Sequence, residues 1–438
     1  MPVALTIAGS DSSGGAGLQA DLKTFSVFYV HGVCAVTGIT VQNTSKIEKV
    51  YDLSPSLIKK QIVALAEDLE INSAKTGMLR NSKIIKEVAR TLSGYDFPVV
   101  VDPVILSKSG YELLKEDAIE DFINFIFPIS YLITPNRYEA EKLSNIKIKG
   151  KKDVEKALKI LKKEGANSIL IKGGHFPNKT DYLYHEGKIF EYKGKNIKGC
   201  THGTGCSFSA AITANLAKGI ELRESIRIAK NFIESAIMYG EKIGKRCPVN
   251  QISWLGKDAE RWRVYEELNF YLNELLKENI YDLIPEVGTN FAYALPKNFL
   301  KDKNDILAIE GRIIKAGKSL RVGEIKFGTS RHLASAIMKA MEYDESKRCA
   351  INFKYDENLI RKAEKFYRVA GYDRRKEPEN IKKEEGKSIS WGTEVAIKKA
   401  GEVPDIIFHK GDVGKEAMIT ILGKNPKEII EKIRKIIY

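Results

Sequence analysis

No window of eighteen consecutive apolar residues occurs in this 438-residue chain, so no membrane-spanning helix is expected. Cysteine is scarce. Cys34, Cys200, Cys206, Cys247 and Cys349 are odd in number and show neither C-x-x-C spacing nor a histidine at zinc-finger distance. A disulfide framework or structural zinc is therefore not expected, and a reducing compartment fits. The opening Met1-Pro2-Val3-Ala4-Leu5-Thr6-Ile7 has no basic region followed by a long apolar stretch, so no secretory leader is read there. These absences point to a soluble, cytoplasmic protein. Glutamine occurs at only four positions, 19, 42, 61 and 251, against abundant Lys, Glu and Ile, a composition that leans toward a heat-adapted source.

Charge of one sign is not clustered either. The formal charge of +14 arises from 71 basic residues interleaved with 57 acidic ones, so a nucleic-acid partner is not expected. Polyanionic small substrates such as nucleotides and pyrophosphate account equally well for the excess. With 43% hydrophobic and 29% charged residues the balance is that of a globular protein, and disorder is not the default. The length exceeds what one core usually organises, which predicts two or three domains.

Up to about residue 250, short apolar runs alternate with longer amphipathic segments, the pattern of a βα series around a buried, mostly parallel sheet. Strands are expected at Ala4–Ala8, Val33–Ile39, Ser73–Thr76, Val99–Asp102, Tyr131–Thr134 and Ser168–Lys172. Helices are expected at Pro55–Leu69, Ser82–Leu92, Asp153–Glu164 and Cys206–Lys218, where apolar residues recur at three- and four-residue spacing. Asp181–Tyr184 and Ile189–Tyr192 read as a hairpin with Gly187 in the turn. Near Cys247-Pro248-Val249 the pattern breaks, and an amphipathic helix is expected from Asp258, with Trp262, Tyr265, Leu268, Leu272 and Leu275 on one face and Pro285 as its stop. The boundary is placed just before it, giving domains 1–255 and 258–438. In the second, smaller α/β domain, strands are expected at Ile306–Glu310, Ala350–Phe353, Ile406–His409 and Met418–Leu422, and helices at His332–Met341, Glu357–Tyr367 and Pro426–Ile436. The charge-dense segment Asp373–Lys387 reads as an exposed excursion.

Gly15-x-Gly17-x-x-Ala20 nominally fits the dinucleotide fingerprint, but its loop is too long and no acid follows Asp21 until Glu48 to accept a ribose hydroxyl. Gly317-Lys318-Ser319 and Gly386-Lys387-Ser388 lack the upstream glycine of a Walker loop. Phosphate must be held differently. Thr201-His202-Gly203-Thr204-Gly205-Cys206 opens the apolar helix that continues Ser207-Phe208-Ser209, so backbone amides and the helix dipole would form an anion hole there, with Cys206 expected to favour its thiolate. Three more fragments lie at strand ends, where open α/β sheets gather ligands: Asp102-Pro103, Asn136-x-x-Glu139 and Lys172-Gly173-Gly174-His175.

Together with Ala8-Gly9-Ser10-Asp11 through Asp21, Thr40-Val41-Gln42-Asn43-Thr44 and Lys75-Thr76-Gly77-Met78-Leu79, these motifs resemble the ribokinase-like superfamily, in its hydroxymethylpyrimidine/phosphomethylpyrimidine kinase branch. The resemblance covers residues 1–250 and implies ATP and Mg²⁺. It implies that Asp102 and Glu139 organise the metal, largely through waters, and that Asn136, Lys172 and Thr204 contact the nucleotide. Gly203, Gly205 and Cys206 would cradle the transferred phosphate, Cys206 also serving as base. Asp21, Gln42 and Met78 would line the pyrimidine. A pyridoxal kinase is the alternative, because relatives share the Gly-Thr-Gly-Cys ending.

In the second domain, Ser330 is expected to cap a helix on which Arg331 and His332 project. The polar clusters from about residue 262 onward resemble a ThiN-type thiamine-phosphate synthase. That implies condensation of hydroxymethylpyrimidine diphosphate with thiazole phosphate, with Arg312 and His332 as the catalytic pair and Arg331 in reserve. A domain that only senses thiamine phosphates is the alternative. A homodimer is the expected assembly.

Overall fold

Six buried apolar runs form the parallel centre of a nine-stranded sheet in the computed structural model, which describes residues 1–107, 110–176, 179–382, 387–412 and 414–438. The strands are β1 (Val3–Ser10), β2 (His31–Gln42), β3 (Ile47–Asp52), β4 (Ser73–Thr76), β5 (Val99–Val101), β6 (Leu132–Ile133), β7 (Ser168–Ile171), β8 (Asp181–His185) and β9 (Lys188–Tyr192). Their order is β3-β2-β1-β4-β5-β6-β7-β8-β9. All neighbours from β2 to β7 pair in parallel, and β3, β8 and β9 add antiparallel edges. Glu186 and Gly187 both take positive φ, as the two-residue turn between β8 and β9 requires. The unforeseen strand is β3, whose residues are exposed or half-buried, so pairing with β2 rather than burial makes it a strand.

Helices cover both faces of this sheet. They are α1 (Gly17–Val27), α2 (Pro55–Asp68), α3 (Ser82–Leu92), α4 (Ile119–Ile126), α5 (Arg137–Ser144), α6 (Lys151–Lys163), α7 (Thr204–Ala217) and α8 (Leu222–Met238). One core joins α2, α3, α4, α5 and α6 to the sheet, and the other joins α1, α7 and α8. Every residue of α7 from Ser207 to Ala217 is buried, because its Ala, Ser and Thr side chains let neighbours approach on all sides.

Chain order reverses at β1, which sends β2 to one side and β4 to the other. The loops after the strand carboxyl ends therefore open a crevice there. Beneath it, Asp21 of α1 and Lys75 of β4 are both fully buried. The Lys75 ammonium lies 2.9 and 2.8 Å from the Asp21 oxygens, and Thr6 of β1 donates to the same carboxylate at 2.7 Å.

The chain divides into two units, Met1–Leu255 and Gly256–Tyr438, and the division falls inside α9 (Ser253–Leu275). This helix starts earlier than Asp258 and ends ten residues before Pro285. Val264, Leu268, Leu272 and Leu275 form its buried stripe, whereas Trp262 is 65% exposed, so the expected apolar face is rotated.

The second unit is built on β10 (Phe291–Ala294), β11 (Ile306–Ile309), β12 (Ile313–Ala316), β13 (Ser319–Val322), β14 (Ile325–Phe327), β15 (Cys349–Lys354), β16 (Val369–Gly371), β17 (Ile406–His409) and β18 (Met418–Gly423). Seven of these form one sheet in the order β14-β11-β10-β15-β18-β17-β16, and β12 and β13 pair separately. Its helices are α10 (His332–Tyr343), α11 (Glu357–Ala363), α12 (Glu379–Lys382), α13 (Lys387–Ala400) and α14 (Pro426–Ile437). Side chains alternate along the strands: Ala350, Ile407 and Leu422 pack with α10 and α13, while Phe353, Ile419 and Ile421 meet α11 and α14.

Four expectations are corrected here. Ser330 does not cap α10, because Arg331 occupies the N-cap position without a side-chain cap bond. The helix from Glu357 ends at Ala363 rather than Tyr367. Of the supposed excursion Asp373–Lys387, residues 374–376 form a 3₁₀ turn, and Arg374 and Glu377 are buried; residues 383–386 lie outside the described residues. Finally, Cys200 and Cys247 are joined in a disulfide. The pairing escapes a motif reading because the two cysteines are 47 residues apart and are brought together by the chain segments 200–202 and 247–249 running side by side.

The Asp21–Lys75 pair yields a stability test. Asp21→Ala leaves an ammonium alone in the core and should destabilise the first unit by about 3–5 kcal/mol, whereas Asp21→Leu combined with Lys75→Met should cost less than the single change. Urea titration of the three proteins checks the ranking; a double variant less stable than Asp21→Ala would show that the pair contributes more than its own desolvation.

Candidate active site

The glycine-rich loop after β1 is organised by one carboxylate. Asp11 accepts from the Ser13 amide (2.9 Å) and hydroxyl (2.7 Å) through one oxygen, and from the Gly15 (3.2 Å) and Ala16 (2.8 Å) amides through the other. Burial opposes the charge, but these bonds and the neighbouring His202 hold the Asp11 acid below its usual range. His202 Nε2 lies 3.8 Å from Asp11 and stacks its ring over Gly15, joining this loop to the turn before α7. At that turn Gly203 has φ +81°, and a β-carbon there would stand 1.9 Å from the Gly15 carbonyl oxygen. Only glycine fits the position, for both reasons.

The expected substrate residues separate into two layers. Gln42, at the end of β2, is held through its backbone amide by the Ser12 hydroxyl at 3.1 Å. Met78 stacks its thioether against Gly9 and Gly38, close enough that a β-carbon at Gly9 would meet the Met78 methyl at 2.2 Å. Gln42, Met78 and the Gly9–Gly17 loop thus share the crevice at the carboxyl ends of β1, β2 and β4. Asp21 does not join them: both its oxygens are engaged below by Lys75 and Thr6, which corrects its assignment as a direct substrate contact.

Beside this crevice, β5, β6 and β7 deliver a charged cluster. Lys172 donates to Asp102 at 2.9 Å, and Ser209 of α7 approaches the second Asp102 oxygen at 3.4 Å. A β-carbon at Gly205 would sit 3.5 Å from the Lys172 nitrogen and 3.7 Å from an Asp102 oxygen, so the bare turn faces this ion pair. Burial works against the Asp102 charge, yet Lys172 and then Lys75 hold its acid below the usual range. Glu139 behaves oppositely: burial first, with Asp102 adding repulsion, lifts its carboxyl to about 7. It also closes a capping box with Asn136, each side chain accepting from the other's amide at 3.0 and 2.7 Å. The pair therefore builds the start of α5 as well as facing the cleft. Thr204 donates to the Thr201 carbonyl at 2.9 Å and so closes the turn on itself.

Cys206 departs from expectation. Its sulfur accepts from the Gly17 amide, but burial, reinforced by Asp102 and Asp21, lifts the thiol to about 12 despite the opposing pull of Lys75. The site therefore holds a neutral thiol, because desolvation outweighs the helix dipole. Sequence reasoning gave no role to Asp11, Lys75 or His202. A lysine within the otherwise uncharged buried run Ser73–Thr76 was the available signal, since such a residue needs a partner.

Arg312 and His332 reach the second sheet by neighbouring strands. Arg312 follows the end of β11, whereas His332 follows β14, whose carboxyl end pairs with the start of β11 at Leu307. Arg312 has φ +68° and donates to the Val287 carbonyl.

A phosphomethylpyrimidine kinase family model matches residues 11–250, and a thiamine-phosphate synthase ThiN model matches residues 267–435. The bifunctional thiamine biosynthesis protein ThiDN of Methanocaldococcus jannaschii is 36% identical over 433 residues, covering 98% of this chain and 97% of its own length. The hydroxymethylpyrimidine/phosphomethylpyrimidine kinase of Bacillus subtilis is 45% identical over 241 residues, 53% of this chain and 88% of that protein. Among solved structures, an ADP complex of Bacillus subtilis pyridoxal kinase superposes with a TM-score of 0.54 at 36% identity, over 58% of this chain and 98% of the other. A phosphomethylpyrimidine kinase from Clostridium difficile gives 0.50 at 42% identity, over 54% and 100%. The chain belongs to the phosphomethylpyrimidine kinase family, in the bifunctional ThiDN form that carries a ThiN-type thiamine-phosphate synthase domain behind the kinase.

Proposed function

We propose that residues 1–255 phosphorylate hydroxymethylpyrimidine twice at one site, using ATP, and that residues 258–438 join the resulting diphosphate to thiazole phosphate. The chain is a kinase and thiamine-phosphate synthase of thiamine biosynthesis. The observation that carries the division of labour is the Lys172–Asp102 pair facing the bare turn at Gly205. A phosphoryl group placed between them would meet the amides that open α7 on one side and a lysine on the other.

Asp102 and Glu139 are two buried acids that share one nearby lysine, so the pocket carries an excess of negative charge once both ionise. That donor chemistry suits a divalent cation held partly through water. Magnesium, when bound there, would neutralise charge on the phosphates. Asn136 and Thr204 would orient the nucleotide, and Gln42 and Met78 the pyrimidine.

The first phosphorylation removes a proton from an alcohol, and the second starts from an oxygen that is already anionic. Cys206 is the acceptor for the first through its scarce thiolate form: with the thiol lifted to about 12 that form is strongly basic, and taking the alcohol proton returns it to the neutral thiol. The second step relies on positioning and charge alone. The pyridoxal alternative has its own support in the fold shared with pyridoxal kinases. Only the pyrimidine route uses a second phosphorylation, so comparing rates on hydroxymethylpyrimidine, its monophosphate and pyridoxal separates the two.

Cys206→Ala should lower the rate on hydroxymethylpyrimidine by about 10²-fold or more and the rate on its monophosphate much less; equal losses, read by coupled ADP release, would reduce Cys206 to a wall of the phosphate site. Glu139 gives a pH signature. Because its folded value near 7 lies above the ordinary 4.5, the native state holds the extra proton between those values, so this contribution to stability is complete below 4.5 and lost as pH rises through 7. Melting temperatures in the absence of divalent metal should therefore fall more from pH 5 to pH 8 in the native sequence than in Glu139→Gln. Parallel curves would contradict the assignment.

A further inference from the structure

At the end of the second sheet, β16 and β17 run parallel, so their carboxyl ends open at one edge. The chain leaves β16 as Tyr372-Asp373-Arg374 and leaves β17 after His409, and the Tyr372 amide is bonded to the Phe408 carbonyl at 3.1 Å. Asp373 and Arg375 pair with each other at 3.0 Å on the outside, and between them Arg374 turns inward, 8% exposed. Glu377 and His409 are each 5% exposed. The Tyr372 ring lies 5.2 Å from that of His409 and edge-on to Trp391 at 5.9 Å; Gly392 makes room, since a β-carbon there would reach 2.2 Å from the Tyr372 ring.

What sets this cluster apart is polar groups left without partners. The Glu377 Oε1 atom is buried with no hydrogen bond. Among the described residues, the Arg374 guanidinium has neither an ion pair nor a hydrogen bond. His409 accepts from the Gly411 amide at Nδ1, 3.2 Å away, so its proton sits on Nε2 as a donor. Burial, then Arg374 and Lys415, push the imidazole down to about 4 and keep it neutral. A carboxylate oxygen buried without a partner is costly, and such a group, beside an arginine 8% exposed, persists at a site that awaits a ligand.

We propose that Tyr372, Arg374, Glu377 and His409 form a binding site for a phosphorylated aminopyrimidine, namely the diphosphate that the first unit makes. Arg374 and the Nε2–H of His409 are donors suited to phosphoryl oxygens, with Lys415 adding positive charge. Glu377 is an acceptor suited to an exocyclic amine, and Tyr372 and Trp391 are walls for a planar ring. Thiazole phosphate has a phosphate and a ring but no N–H group for Glu377, so the aminopyrimidine is the better match. The site rests on the reading of the second unit as a synthase. It also places a histidine on the sheet edge that holds Arg312: β11, β15 and β17 end there, and Glu416 links the edge by accepting from the amides of Glu286 and Val287 beside Arg312.

Trp391 supplies a local reporter. In the full chain with Trp254→Phe and Trp262→Phe, Trp391 fluorescence is titrated with hydroxymethylpyrimidine diphosphate, thiazole phosphate and inorganic pyrophosphate. The diphosphate should shift the emission; Arg374→Gln should weaken its binding at least tenfold, and Glu377→Gln should weaken it while leaving pyrophosphate unchanged. Arg374→Lys, which keeps the charge and loses the fork, should fall between, and it serves as the test if Arg374→Gln unfolds the unit. Unchanged affinity in the Arg374 variants overturns the site, and a response to thiazole phosphate instead overturns the choice of ligand. Thiamine phosphate formation is followed in parallel. If the native sequence forms none while Trp391 still reports the diphosphate through Arg374, the site stands and the synthase reading falls; formation undiminished by Arg374→Gln sinks the site and leaves that reading intact.

Discussion

The buried ion pair between Lys172 and Asp102 is the constraint on which the kinase unit depends. It ties the ends of β7 and β5 across the intervening β6, and through Ser209 it reaches the first turns of α7. A lysine and an aspartate so enclosed must be matched closely, because each would be costly alone. Their match fixes where the Gly203–Gly205 turn sits relative to the sheet. It also sets the electrostatics around them: Asp102 stays ionised because of Lys172, and its charge adds to the burial that lifts Glu139 and the Cys206 thiol.

A second buried pair, Asp21 with Lys75, carries the same logic under the crevice at the carboxyl ends of β1, β2 and β4. It locks α1 against β4, so the loop between β1 and α1 starts and ends on fixed points. Asp11 then gathers four donors from that loop, and His202 and Gly203 hold it against the turn before α7. The Gly9–Gly17 loop and the turn before α7 are thus one packed body, and glycine at Gly203 is required by closeness as much as by φ. Function here comes from charges buried in pairs and from backbone brought near backbone.

The second unit shows the opposite economy. Its sheet edge carries charged and aromatic side chains whose hydrogen-bonding capacity is not consumed internally, notably Arg374 and Glu377. Parallel pairing of β16 with β17, in a sheet otherwise antiparallel, is what turns both chain exits to the same side. Without that single parallel pair, Arg374 and His409 would lie at opposite ends of their strands.

The alternation of apolar runs and amphipathic helices already determined the α/β class, six of the nine strands of the first sheet and the hairpin at Gly187, because those elements owe their existence to burial, which is written in local periodicity. Motifs at strand ends likewise placed Asp102, Asn136, Glu139 and Lys172 together just beyond the carboxyl ends of β5, β6 and β7, because a βα series brings all those ends to one side. What depends on distant partners was decided by the tertiary structure. The edge strand β3 exists by pairing, the cysteines at 200 and 247 meet because two segments align, and Asp21 belongs to Lys75 rather than to a substrate. The state of Cys206 followed the same rule: its place at a helix start could be read from the chain, but the desolvation that keeps its proton comes from neighbours far away in sequence.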